Sequence, residues 1–86
     1  MRVILSDTAK RQLKKLDKSI RDRILKYMDK VESLVNPRAR GKGLSGNLSG
    51  TWRYRVGDYR VFCKIMDDKL IIEVVKVGHR RDVYDI

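Results

Sequence analysis

The chain has 86 residues, 42% hydrophobic and 37% charged, with six Gly and one Pro. That is too much apolar material for a disordered chain and enough for one small core, burying about 60–65% of the unfolded surface. A single Cys excludes a disulfide scaffold, and 21 Lys and Arg against 11 Asp and Glu give a net charge of +10, more than solubility alone requires.

No apolar run of about 18 residues and no signal-peptide-like segment occurs, so a membrane-spanning or secreted chain is not expected. A single cytoplasmic domain over residues 1–86 is. The charge predicts an anionic partner: nucleic acid, the ribosome, an anionic membrane surface or an acidic protein.

Arg2 to Leu5 is a short apolar run closed by Ser6-Asp7, which reads as a first strand followed by a helix N-cap. Ala9, Leu13 and Leu16 then recur at helical spacing, with Lys10, Arg11, Lys14 and Lys15 outside. Asp17 interrupts the pattern. From Lys18 a longer helix carries Ile20, Ile24, Met28, Val31 and Val35 inward and ends at Asn36-Pro37, since the residue before proline is pushed out of the α region.

Arg38 to Gly50 is a basic, Gly/Ser-rich loop. Behind it lie strand-like runs over Thr51–Val56, Tyr59–Met66 and Lys69–Val77, joined at Gly57-Asp58 and Asp67-Asp68. The predicted fold is α+β: a short N-terminal strand, a two-helix hairpin and a three-stranded antiparallel meander. The helices pack on one face of a four-stranded, mainly antiparallel sheet.

A two-residue Gly57-Asp58 turn pairs Val56 with Tyr59, Arg55 with Arg60, Tyr54 with Val61, Arg53 with Phe62, and Trp52 with Cys63. Alternation then places Trp52, Tyr54, Val56, Tyr59, Val61, Cys63, Ile65, Leu70, Ile72 and Val74 toward the helices. Arg53, Arg55, Arg60, Phe62 and Lys64 fall on the other face, with Ile71, Glu73, Val75 and Val77 beside them. Arg55 opposite Arg60 is a like-charge pair, which costs stability. From Pro37 to Met66 there are seven basic residues and one acid, Asp58, so an external polyanion is the natural counter-charge. Arginine there suits bidentate contact with phosphate, and Phe62 offers a stacking surface to bases. A merely solvated polar face is the bland alternative.

The tail Gly78–Tyr84 holds the single His, Arg80, Arg81, Asp82 and Tyr84. His79, Asp82 and Asp85 stand at three-residue spacing, but nothing completes a metal-ligand set, so neither a metal nor another cofactor is expected. Cys63, opposite Trp52 on the core face, reads as packing rather than as a nucleophile.

Taken together, Lys42-Gly-Leu44-Ser-Gly46, Trp52-Arg-Tyr54-Arg55, Asp58-Tyr-Arg60-Val61 and Val77-Gly-His79-Arg80-Arg81-Asp82-Val83-Tyr84 resemble the RelE/ParE superfamily of toxins from type II toxin–antitoxin systems. The likeness covers nearly the whole chain. Its RelE branch implies a metal-independent endoribonuclease (an mRNA interferase). Such an enzyme cuts mRNA in the ribosomal A site by attack of the 2′-OH on the adjacent phosphate and so inhibits translation. By position, the resemblance implies Arg53, Arg55, Arg60, Arg80 and Tyr84 as catalytic residues; His79, at a position that varies within the family, joins them as the one residue type here suited to general acid–base work near neutral pH. The remaining basic and aromatic candidates of the loop, outer face and tail, Arg38, Arg40, Lys42, Phe62, Lys64 and Arg81, are read as binding RNA. The best-known pattern has Lys where Arg53 and Arg55 stand, and arginine cannot act as a base. Implied partners are mRNA, the ribosome with its rRNA, and a RelB-like antitoxin in a hetero-oligomer, with no membrane partner. A ParE-like inhibitor of DNA gyrase and a non-catalytic RNA- or ribosome-binding module are the alternatives.

Overall fold

The computed structural model describes residues 1–83. Strand β1 spans Arg2–Leu5, helix α1 Asp7–Lys14, helix α2 Lys18–Ser33, β2 Lys42–Gly43, β3 Trp52–Val56, β4 Tyr59–Met66 and β5 Ile71–His79. The sheet has five strands in the order β1-β5-β4-β3-β2, with β1 parallel to β5 and the other neighbours antiparallel.

Ser6 caps α1: its hydroxyl accepts from the Ala9 N–H at 3.1 Å, while Asp7 in the first turn and Arg11 and Lys14 in the last complement the helix dipole. Helix α2 buries Ile24, Met28 and Val31 and stops at Ser33, short of the expected Asn36-Pro37 boundary. Asn36 is committed elsewhere, since its side chain accepts from the Arg38 N–H at 2.9 Å and opens a 3-10 turn over Pro37–Ala39. Val35 is therefore exposed rather than part of the helix stripe.

The core joins Ala9 and Leu13 of α1 and the inner face of α2 to Tyr54, Val56, Val61, Cys63, Ile72, Val74 and Val77 of the sheet. Tyr54 is fully buried, and its hydroxyl donates to the Pro37 carbonyl at 2.7 Å, so the buried polar tip is hydrogen-bonded and its desolvation is offset. Burial pushes the Tyr54 phenol above its ordinary range and the Cys63 thiol up to about 12, in keeping with a packing role for Cys63.

The β3–β4 pairing follows the register expected from the sequence at all five positions, Trp52↔Cys63 through Val56↔Tyr59. Other expectations need correction. The sheet gains a fifth strand, because Lys42–Gly43 of the basic loop pairs with Arg53 and Trp52. Gly41 makes this possible: at φ +81°, it lies so close to the Arg53 carbonyl and Trp52 indole that a Cβ there would come within 2.6 Å of both. The second turn is a 3-10 turn over Asp67–Lys69 closed by Leu70 in the left-handed region, φ 54°. Leu70 accordingly points out, 65% exposed, instead of joining the core.

A bulge between Phe62 and Cys63 shifts the β4–β5 register, so that Phe62 opposes Lys76 while Cys63 opposes Val74. Val75 is the extra residue, and beyond it the faces exchange. Val77 consequently lies in the helix-side core, 3% exposed, and Lys76 takes the outer position. Among the described residues no helix is long and apolar enough to cross a membrane.

Candidate nucleic-acid interface

The outer sheet face is laid out by cross-strand pairing. One row runs Lys42–Arg53–Phe62–Lys76 across β2 to β5, and the next runs Arg55–Arg60–Gly78. Lys64 follows on β4, opposite Glu73, the one carboxylate on that face of β5. Arg53, Arg55, Arg60 and Lys64 thus share a face, as the alternation predicted, and Lys42 joins them through the unexpected strand β2. Lys76 joins them only through the bulge, which no residue pattern announced; its Nζ donates to the Val83 carbonyl at 2.9 Å.

The Arg60 guanidinium turns back along its own hairpin, where Nη1 donates to the carbonyls of Gly57 and Tyr59, both at 3.0 Å. Gly57, at φ +58°, provides the turn that such close approach needs. On the same turn, the Asp58 carbonyl accepts from the Arg80 N–H at 2.8 Å. The Arg80 Nε lies 3.7 Å from the Asp58 carboxylate. Tail and hairpin are therefore tied together, with Arg55, Arg60 and Arg80 gathered around one end of β3 and β4.

The tail then makes a helical turn, in which Asp82 and Val83 N–H groups donate to the His79 carbonyl at 2.9 and 3.0 Å. Val83 is buried against Gly78, where an added Cβ would meet its methyl carbon at 3.2 Å. Phe62 is only 1% exposed, although it faces away from the helices. Phe62 and Val83 lie outside the core cluster under the helices, so the outer face carries an apolar layer of its own. The expected stacking of bases on Phe62 is not available to a ring covered in this way.

Three further candidates stand elsewhere. His79 pairs across the sheet with Tyr59, hence on the helix side, with its ring edge-to-face on Tyr59 at 5.4 Å. Its Nδ1 accepts from the exposed Arg81 N–H at 3.1 Å, which holds the proton of the neutral ring on Nε2. Arg38 forms a bidentate pair with Asp67 at 2.9 and 2.8 Å and lies over the Trp52 ring. That site is at the far end of β4 from Arg60, and the hydrogen bonds from Arg38 hold the Asp67 carboxyl below its ordinary value. Arg40 lies 5.8 Å over Tyr27 on α2, beside the helix rather than on the arginine face. Tyr84 lies outside the described residues.

Chemically, the face can hold and neutralise a phosphodiester. Its arginines donate in planar pairs and stay charged at any physiological pH. The carboxylate at this end of the hairpin, Asp58, lies 3.7 Å from the Arg80 Nε, so the arrangement supplies electrostatic stabilisation rather than an evident base.

A family model described as "ParE toxin of type II toxin-antitoxin system, parDE" matches residues 3–84, and the chain belongs to this family of the RelE/ParE superfamily: it is the toxin of a type II toxin–antitoxin system. It is 33% identical over 82 residues to Toxin RelG of Mycobacterium tuberculosis, covering 95% of this chain and 93% of that protein. Its fold is similar to the toxin–antitoxin complex RelBE2 of Mycobacterium tuberculosis, with TM-score 0.79 at 29% identity over 92% of this chain and 96% of that one. The archaeal RelE–RelB complex from Pyrococcus horikoshii is also similar, with TM-score 0.75 at 28% identity over 94% and 96% of the two chains.

Proposed function

We propose that the protein is a RelE-type mRNA endoribonuclease that acts in the cytoplasm on the ribosome and is held inactive by a RelB-like antitoxin in a hetero-oligomer. One observation carries this reading: Arg53, Arg55 and Arg60 share the outer sheet face, and backbone bonding to the same hairpin turn fixes Arg80 beside them. In the proposed reaction the mRNA 2′-oxygen attacks phosphorus and the P–O5′ bond breaks. The proton of the 2′-OH ends on the departing 5′-oxygen. The arginines clamp the phosphate and offset the charge added in the transition state. RNA is cut and DNA is not, because only RNA carries the nucleophile.

Arginine does not accept the proton, and His79 sits on the opposite face. Proton transfer therefore falls to Tyr84 or to groups brought by the ribosome, which supports ribosome dependence. Lys42, Lys64 and Arg81 extend the basic surface along the RNA. Primer extension on a defined mRNA in a purified translation system is the test. Cuts at A-site codons that vanish with Arg80→Ala, and vanish again without ribosomes, are expected.

The match to a ParE model favours a second reading, inhibition of DNA gyrase. Intact mRNA together with blocked supercoiling in a gyrase assay would establish it in place of the first. A protein that binds RNA equally well with and without Arg80, and never cuts, would be a non-catalytic module.

A further inference from the structure

Helix side chains close two stretches of the sheet edge. The Glu32 carboxylate of α2 accepts from the Val3 N–H on β1 at 2.7 Å. The Gln12 side chain of α1 accepts from the Val77 N–H at 2.6 Å, on the part of β5 that runs past the end of β1. β5 is thus anchored just before the tail leaves it. From this anchored stretch Lys76, half-buried on the outer face, sends its ammonium group to the tail.

The tail between Gly78 and Val83 is a single turn, closed by the Asp82 and Val83 N–H groups on the His79 carbonyl. One turn by itself does not persist in water, since nucleating it fixes several dihedral angles for one or two hydrogen bonds. Carbonyls at its C-terminal end also lack partners within the turn. Two tethers offset this. At the near end the Arg80 N–H donates to the Asp58 carbonyl at 2.8 Å. At the far end the Lys76 Nζ donates to the Val83 carbonyl at 2.9 Å, a cation on the terminal carbonyl of a turn, where charge and dipole agree. The Val83 side chain is buried beside Gly78, so Lys76 adds a polar clasp to an apolar one. Arg80 lies between the two tethers with its side chain more than half exposed, and its direction is set by the backbone that carries it.

We propose that Lys76 is a positioning residue: its bond to the Val83 carbonyl fixes the tail turn, and through that turn holds the Arg80 guanidinium beside Arg55 and Arg60. Lysine suits the task because its ammonium group carries three donors on a flexible stem. A neutral residue of similar length keeps the stem and loses the clasp. The row Lys42–Arg53–Phe62–Lys76 offers a plainer role, in which Lys76 only adds one positive charge to the RNA surface. Against that role, the ammonium group is committed to a carbonyl seven residues further along the chain. In its effect on catalysis the inference deepens the nuclease reading and rests on it; the hold on the tail is independent of RNA cleavage.

The test compares Lys76→Met and Lys76→Arg with the wild-type full chain, by amide hydrogen exchange and by ribosome-dependent cleavage of a defined mRNA. Lys76→Met is expected to speed exchange of the Asp82 and Val83 N–H groups at least tenfold, with exchange in the β3–β4 hairpin unchanged as the control for folding. It should lower kcat at least tenfold and leave KM within threefold, because RNA still binds the outer face while Arg80 is misplaced. Lys76→Arg, which keeps a charged donor of similar reach, should bring exchange and kcat back to within threefold of wild type. A lost surface charge gives a different pattern, in which KM rises, the salt dependence of binding flattens and tail exchange does not move. That pattern would overturn the proposal, and so would faster tail exchange with kcat intact. A wild-type protein that does not cut would overturn the nuclease reading and the effect on kcat together. Faster tail exchange in Lys76→Met, reversed in Lys76→Arg, would in that case still bear out the hold on the tail.

Discussion

Arg55 and Arg60 stand directly opposite each other across the β3–β4 hairpin, two cationic residues on neighbouring backbone positions of one sheet face. Such a pair costs a few tenths to about 1 kcal/mol. In Arg55→Thr the repulsion disappears and a good strand former takes its place. The melting temperature is expected to rise, by up to about 4–8 °C for a domain of this size, while affinity for a uridine oligonucleotide falls and its salt dependence flattens. Calorimetry and a binding titration at two salt concentrations check both. A lower melting temperature would show that Arg55 is held by favourable contacts instead.

Alkaline pH should destabilise the fold through Cys63 and Tyr54. The buried thiol is pushed from 9.0 up to about 12, and burial also raises the phenol. The unfolded chain therefore loses these protons first. Stability is full below the unfolded values and falls as pH rises from about 9 upward, each group contributing a slope of up to about 1.4 kcal/mol per pH unit. Denaturant unfolding between pH 8 and pH 11 measures it, and Cys63→Ala should remove the part that starts near 9. In the folded protein the thiol should resist a disulfide reagent at pH 8 and react at once in denaturant.

The Arg38–Asp67 pair ties the turn at Pro37–Ala39 to the β4–β5 turn. Asp67 has its carboxyl held below 3.8, so the stabilisation is present above that value and is lost as pH falls through the depressed folded one. Asp67→Asn should speed amide exchange from Ala39 to Lys42 at neutral pH and make the acid limb of the stability curve flatter. Unchanged exchange would mean that the Trp52–Arg40 hydrogen bond of 2.8 Å holds the loop by itself.

Gly78 leaves room for Val83, and a side chain there must push the tail away from the outer face. Gly78→Val should keep the fold and most of its stability, yet displace Arg80 from the hairpin. A shift of about 1 Å costs on the order of a hundredfold in rate when positioning is the source of catalysis. Ribosome-dependent cleavage by this variant, set beside Arg80→Ala, gives the comparison. A fully active Gly78→Val would remove Arg80 from the proposed mechanism.

The local chemistry of the chain was enough for the first strand, the Ser6 cap, both helices, the β3–β4 register and the gathering of Arg53, Arg55, Arg60 and Lys64 on one face. Each of these depends on a period of two or 3.6 and on turn residues adjacent in sequence. Contacts between distant segments decided the remainder. The bulge at Phe62 and Cys63 reversed Val77 and Lys76, because alternation is a running count and one unpaired residue resets it. β2 exists because Gly41 lets the loop lie against Trp52 and the Arg53 carbonyl, and a two-residue strand has no pattern of its own. The same bulge turns His79 to the helix side, away from the arginines, and the burial of Phe62 on the outer face is a matter of tertiary packing that alternation does not announce. Which edge of the sheet stays open was likewise set by the reach of Glu32 and Gln12 from the helices, 29 and 65 residues from the peptide groups they cap.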